Sequence, residues 1–260
     1  EKFGLGEIGP LAGLSIDDGT DYEKVLEYIS DELTHIELPA TEDKCFSLAS
    51  SLADTDQPAL RFGLETALLD LWTGGRRILF PSAFTAGKEE IPINGLIWMG
   101  EESFMHEQAI YKVADGYTCI KMKIGAIDFD TELRLLADLH ETDVDIVRVD
   151  ANGAFAIDEA MNKLDKLATF DLHSIEQPIA PGQWEAMSGL CKNSPVPIAL
   201  DEELIGIKPD QRAELLDKIN PPYIILKPTL LGGLAATRAW IKEAEERKIG
   251  WWITSALESN

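Results

Sequence analysis

"TCIKMKIG" (118–125) decides the fold, through its alternation. Ile120, Met122 and Ile124 are apolar, and Lys121 and Lys123 stand between them. Side chains of a strand point to opposite faces with a period of two, so one face is apolar and the other carries both lysines. Alone, such a strand fits a solvated sheet face as well as a site that needs two positive charges. The strands that follow separate these readings.

From about residue 91, short apolar runs alternate with helical ones. The strand candidates are "IPINGLIWM" (91–99), "TCIKMKIG", "VDIVRVDA" (144–151), "LHSIEQP" (172–178), "VPIALDE" (196–202), "YIILKPT" (223–229) and "GWWITSAL" (250–257). Between them "FDTELRLLADLHE", "AIDEAMNKLDKLATF", "WEAMSGLCKN", "PDQRAELLDKI" and "LAATRAWIKEAEERK" have helical spacing. Nearly all-apolar strands alternating with helices predict an α/β fold with a parallel sheet covered by helices. Seven strands fit an open doubly wound sheet or a (β/α) barrel. No G-x-G-x-x-G or Walker loop follows an early strand, which disfavours a nucleotide-binding sheet, and "LGGL" (231–234) matches no phosphate motif.

A chemical period favours the barrel. Lys123, Asp150, Glu176, Asp201 and Lys227 each stand near the C-terminal end of successive strands, separated by 27, 26, 25 and 26 residues. That is the length of one βα unit. In a βα barrel, strand-end side chains converge on one mouth, where active sites lie. One acid at a strand end is more often a cap or turn residue. Five charges in phase, in the order K, D, E, D, K, point to a shared site. Three converging carboxylates repel one another and need a cation or protonation. Hard oxygen donors without His or Cys suit Mg²⁺, with Mn²⁺ possible. Flanking lysines then suit abstraction of an α-proton from a carboxylate substrate, with the developing enediolate stabilised by the metal. Burial and nearby cations are expected to lower a lysine's pKa for that task.

The first 85 or so residues differ. "GLGEIGPLAGLSIDD" (4–18) is Gly-rich and turn-like, and helices are predicted for "DYEKVLEYISDEL" (21–33) and "QPALRFGLETALLDLWTG" (57–74). Two helices and little strand suggest a small α-rich or α+β domain. The expected division is 1–88 for this domain and 89–260 for the barrel. The net charge of −23 argues against a nucleic-acid partner, since phosphate binding needs clustered Lys and Arg. No stretch has the length of a membrane span. Cys45, Cys119 and Cys191 are odd in number and show no CxxC spacing, as expected of reduced thiols in a cytoplasmic protein. Nothing in the sequence sets the oligomeric state.

"KMK" (121–123), "VDAN" (149–152), "IEQP" (175–178), "ALDE" (199–202) and "ILKP" (225–228) resemble the enolase superfamily, in its muconate-lactonising-enzyme subgroup. "GLGEIGPLAGLS" (4–15) is similar to the capping-domain loop that closes over substrate there, and "ALRFGLETALLDL" (59–71) to the helix leading into the barrel. Within the subgroup, "ILKPTLLGGL" (225–234) and "ITSALESN" (253–260) resemble the o-succinylbenzoate synthase family. The resemblance implies a modified TIM barrel, (β/α)7β, with an α+β capping domain. Against that pattern both ends are expected to be truncated, with the first capping strands, the last barrel strand and the C-terminal segment absent. It implies Asp150, Glu176 and Asp201 as metal ligands, Lys123 as general base and Lys227 as the opposing lysine. Lys121, Arg148, Asn152 and Ser255 are implied or candidate substrate contacts. The implied reaction is Mg²⁺-dependent dehydration of 2-succinyl-6-hydroxy-2,4-cyclohexadiene-1-carboxylate to o-succinylbenzoate, a step of menaquinone synthesis. An N-acylamino acid racemase or dipeptide epimerase remains an alternative, since two opposed lysines suit 1,1-proton transfer equally well. A cycloisomerase is a variant of that reading, and a non-catalytic metal-binding barrel is a third possibility.

Overall fold

The computed structural model of the chain describes residues 2–258. Its centre is a sheet of seven strands, all parallel and in sequence order. They are β1 (Gly95–Ile97), β2 (Cys119–Lys123), β3 (Ile146–Asp150), β4 (Ser174–Glu176), β5 (Ile198–Leu200), β6 (Tyr223–Leu226) and β7 (Gly250–Ile253). Parallel neighbours need a crossover, and helices supply it. Between the strands run α4 (Glu102–Ala114), α5 (Phe129–His140), α6 (Ile157–Leu167), α7 (Trp184–Asn193), α8 (Arg212–Ile219) and, after β6, α9 (Pro228–Leu231) and α10 (Gly233–Glu246). The sheet curls into a barrel-like trough. The end of β1 (Leu96, Trp98) and the residues after β7 (Thr254, Ser255) line the same cavity, although β1 and β7 are the two edges of the sheet.

The two faces of β2 have separate fates. Ile120, Met122 and Ile124 are buried in the main core, with Leu135, Leu136 and Leu139 of α5. Lys121 and Lys123 point the other way, into the trough, and neither face of the strand is open to solvent. Register places Lys121 beside Arg148 and Arg148 beside Ser174; one layer higher, Lys123 pairs with Asp150 and Asp150 with Glu176. Glu176 pairs with Ala199, so Asp201 lies two residues beyond that level, just past the end of β5. This is the stagger expected of strands tilted around a barrel.

Before the barrel come α1 (Tyr22–Leu33), α2 (Glu42–Leu52) and α3 (Pro58–Trp72). Asp21 and Thr41 cap the first two, accepting hydrogen bonds from the backbone of Lys24 and Lys44. Their apolar faces form a second core around Ile29, Cys45, Ala49, Leu60 and Leu69, which Leu234 of α10 joins from the barrel side. Among the described residues no strand precedes Gly95.

Several sequence expectations need correction. There are three helices before the barrel, not two, because α2 was not anticipated; neither were α4 and α9. The strands are shorter than their apolar runs: of residues 91–99 only 95–97 pair, and Ile91 and Ile93 are exposed. Among the described residues no helix is long and apolar enough to cross a membrane, and the three cysteines are free thiols.

Candidate active site

Strand ends build the site. Lys123 and Asp150 are the last residues of β2 and β3, Glu176 ends β4, and Asp201 and Lys227 follow β5 and β6 directly. Asp150, Glu176 and Asp201 are almost wholly buried. Sequence order would place these five groups about 100 residues apart end to end; the trough brings them into contact.

Lysines cover the carboxylates. Lys121 Nζ bridges two of them, 2.7 Å from Asp150 Oδ2 and 2.6 Å from Glu176 Oε2. Lys123 Nζ lies 2.6 Å from Asp150 Oδ2 and 2.7 Å from Asn152 Oδ1. Lys227 Nζ is paired with Asp201 Oδ2 and stands 4.0 Å from Glu176 Oε1. Asn152 follows Asp150 in a left-handed conformation, φ 44°, which Asn tolerates better than most residues. Its backbone N–H donates to Asp150 Oδ1 at 3.0 Å and its Nδ2 to Glu202 Oε1 at 2.7 Å.

Charge balance sets the protonation tendencies. Burial would push the Asp150 carboxyl up, but Lys121 and Lys123 prevail and hold it at about 2. Glu176 goes the other way: burial and then the charge of Asp150 raise it well above the carboxylate range, against the pull of Lys121. Burial alone would lower Lys121 and Lys227. The neighbouring carboxylates outweigh it, Glu176 and Asp150 for the first and Asp201 and Glu176 for the second, and raise both. Carboxylates are the closest neighbours of both lysines, which is why burial does not depress them.

Asp150, Glu176 and Asp201 fit a hard divalent cation in donor type. Glu176 Oε1 is buried without a hydrogen-bond partner, an oxygen free for such an ion. Yet among the described residues no three acidic, His or Cys side chains stand as a ready-made cage. Asp150 Oδ2, Glu176 Oε2 and Asp201 Oδ2 are each turned toward a lysine, so a cation bound at those atoms would have to displace ammonium groups.

The site opens into a cavity of about 330 Å³ lined by Leu11, Leu14, Trp98, Lys121, Lys123, Asn152, Glu202, Lys227 and Ser255, among others. A larger depression of about 630 Å³ between α4 and α5 presents Glu101, Glu102, His106 and Asp138 but no Lys or Arg. The convergent chemistry is in the smaller cavity. Of the expected substrate contacts, Lys121, Asn152 and Ser255 reach it. Ser255 spends its proton on Glu258 Oε2 at 2.7 Å and accepts from the Leu257 N–H at 2.8 Å. Arg148 is not among the lining residues; one layer below Asp150, its guanidinium lies 4.3 Å from the centre of the Trp252 ring. Among the lining residues that escaped the sequence reading are Trp98 and Glu202. Trp98, whose ring centre is 5.5 Å from Lys123 Nζ, stands just beyond β1, where the same strand-end rule finds it. Glu202 was hidden beside Asp201, the carboxylate the spacing singled out.

Residues 105–259 match the family described as Enolase C-terminal domain-like. The o-succinylbenzoate synthase of Desulfotalea psychrophila is 59% identical over 207 residues, covering 78% of this chain and 56% of that protein. The crystal structure of MenC from the same organism superposes with a TM-score of 0.88 at 46% identity, over 99% of this chain and 78% of that one. Muconate lactonizing enzyme from Pseudomonas putida, 23% identical, shares the fold with a TM-score of 0.78 over 98% of this chain and 72% of that one. The chain thus spans little more than half the length of the first curated relative it matches. A parallel trough with charged strand ends, matched over its barrel by that family, is conclusive: the chain belongs to the enolase superfamily, in its enolase C-terminal domain-like group.

Proposed function

We propose that the protein dehydrates 2-succinyl-6-hydroxy-2,4-cyclohexadiene-1-carboxylate to o-succinylbenzoate, a step of menaquinone synthesis, using Mg²⁺ with Mn²⁺ as a possible substitute. The carrying observation is the placement of Lys123 and Lys227 on the two sides of Asp150, Glu176 and Asp201 in one cavity. Its likeness to an o-succinylbenzoate synthase over 78% of the chain supports the choice of substrate.

A divalent cation held by Asp150, Glu176 and Asp201 would supply a Lewis acid that makes the substrate's α-proton more acidic. The chain's own residues do the rest. Lys123 Nζ removes the α-proton as general base. The Lys227 ammonium, across the carboxylates, offsets the negative charge that develops on the substrate. Lys123 then returns its proton to the departing hydroxyl, which leaves as water while the ring becomes aromatic. Lys121 holds Asp150 and Glu176 in register and offers positive charge to the substrate carboxylate. Leu11 and Leu14 limit the access of water to the cavity.

The test is an absorbance assay for o-succinylbenzoate with purified protein, with and without Mg²⁺. Turnover that requires the metal is expected; no turnover in either condition overturns the assignment. The two opposed lysines also favour a second reading, racemisation of an N-acylamino acid. Solvent deuterium entering the α-position of such a substrate, coupled to racemisation, would establish it.

A further inference from the structure

Glu202 has no role in the mechanism above, yet its carboxylate reaches the base through one intermediate. Asn152 stands between them, donating from Nδ2 to Glu202 Oε1 at 2.7 Å and accepting at Oδ1 from Lys123 Nζ at 2.7 Å. Of the two orientations of the amide, only this one gives both neighbours a hydrogen bond while Glu202 is ionised. A carboxylate can only accept and an amine-bearing lysine offers N–H donors, so the amide NH₂ must face Glu202 and its oxygen must face Lys123.

That orientation bears on the reaction. A neutral lysine amine has two N–H groups and one lone pair. In this site two acceptors, Asp150 Oδ2 and Asn152 Oδ1, meet Nζ at 2.6 and 2.7 Å. Both N–H groups are then satisfied and the lone pair is left for the substrate. A flipped Asn152 would present its NH₂ to Nζ, donate to the lone pair and quench the base. Asp150 is also a proposed cation ligand, so Asn152 is the acceptor that can hold Lys123 independently of it. The backbone reinforces the amide: Asn152 N–H is tied to Asp150 Oδ1 at 3.0 Å and φ is 44°.

We propose that Glu202 is a positioning residue that locks the Asn152 amide, so that Lys123 keeps its lone pair free for the substrate. This rests on the reading of Lys123 as the base. Glu202 touches neither the substrate proton nor Lys123 directly; it acts through Asn152.

The experiment compares Glu202→Ala, Glu202→Gln, Asn152→Ala and the double Ala variant. Loss of a supporting hydrogen bond of this kind typically costs about tenfold or more, so Glu202→Ala is expected to lower kcat by about that factor with little change in KM. Glu202→Gln keeps an acceptor for Asn152 Nδ2 and should restore most of kcat. The double variant should be no slower than Asn152→Ala, because the effect of Glu202 passes through Asn152. A loss confined to KM, failure of Gln to rescue, or additive single effects overturn the proposal. A second readout needs neither activity nor metal. In ¹⁵N-asparagine-labelled wild-type protein, identified by its loss in Asn152→Asp, the Asn152 side-chain amide should show one proton protected from solvent exchange. A fast-exchanging amide overturns the lock even if Glu202→Ala fails to fold. If the wild-type protein does not dehydrate the substrate, the functional assignment fails, while the amide signal still decides whether the lock exists.

Discussion

At the residue scale, Lys123 carries the sharpest consequence. It is buried against Asp150, Asn152 and the Trp98 ring, and it ends β2 without contributing to the apolar core. Lys123→Ala should therefore leave folding intact and remove the proposed base. A positioned general base accounts for about 10²–10⁴ in rate, so turnover should fall by at least that range while the thermal midpoint stays near that of the wild type. Substantial residual dehydration in a folded variant would remove Lys123 from this role. The sequence made Lys123, Asp150, Glu176, Asp201 and Lys227 legible because a βα unit has a nearly fixed length and strand ends meet. It did not reveal which layer each inward residue occupies. Arg148 shares a face with Asp150, but two residues along a strand are about 6.6 Å apart, enough to put it below the cavity and against Trp252. Ser255 illustrates a different limit: its place on the wall was readable, but its bond to Glu258 depends on a loop conformation that no alternation encodes.

At the element scale, a buried carboxylate helps tie α3 to the barrel. Glu65, buried in α3, accepts N–H bonds from Leu234 and Ala235 at the start of α10. Gly233 has φ 91°, and a Cβ there would lie 2.4 Å from Glu65 Oε2, so only glycine lets the two elements approach this closely. Burial pushes the Glu65 carboxyl up to about 7, against the two backbone N–H groups that favour its charged form. The sign follows from proton counting. Between the ordinary value of 4.5 and about 7 the folded chain binds more protons than the unfolded one. Stability from this group is therefore full below that window and is lost as pH rises through it. Glu65→Gln stays neutral throughout while keeping an acceptor for the N–H groups. Its urea midpoint should fall less than that of the wild type between about pH 5 and pH 8. Parallel slopes for the two proteins would show that Glu65 does not titrate in this window. Two of the elements that escaped the sequence, α2 and α4, have a common physical cause. The segment of α2, "EDKCFSLASSL", is rich in small and polar residues, and α4 leaves Phe104, Ile110 and Tyr111 exposed, so neither shows a clean apolar stripe. The exposed Ile91 and Ile93 extend an apolar run beyond the three residues that pair, since hydrophobicity alone does not mark where a ladder ends.

At the scale of the whole molecule, two electrostatic fields oppose each other. The chain carries a net charge of −23, while its cavity gathers Lys121, Lys123 and Lys227. The proposed substrate is a dianion, with a ring carboxylate and a succinyl carboxylate. Far from the cavity it meets repulsion from the whole surface; inside, it meets three ammonium groups largely shielded from bulk solvent. Salt acts unequally on these terms. The screening length falls from about 30 Å at 0.01 M to about 8 Å at 0.15 M, which removes most of the long-range repulsion, whereas partly buried charges at contact distance are screened far less. Lysine-lined sites are usually read as electrostatic traps whose association slows with salt. Here the surrounding field has the opposite sign, so kcat/KM for the dianion should rise between these ionic strengths at saturating Mg²⁺. A monoester of the succinyl carboxylate, with one charge fewer, should show a shallower rise. A fall in kcat/KM for the dianion over the same range would mean that the lysines dominate the approach as well as the bound state, and that the acidity of the remaining surface is too distant from the mouth to matter.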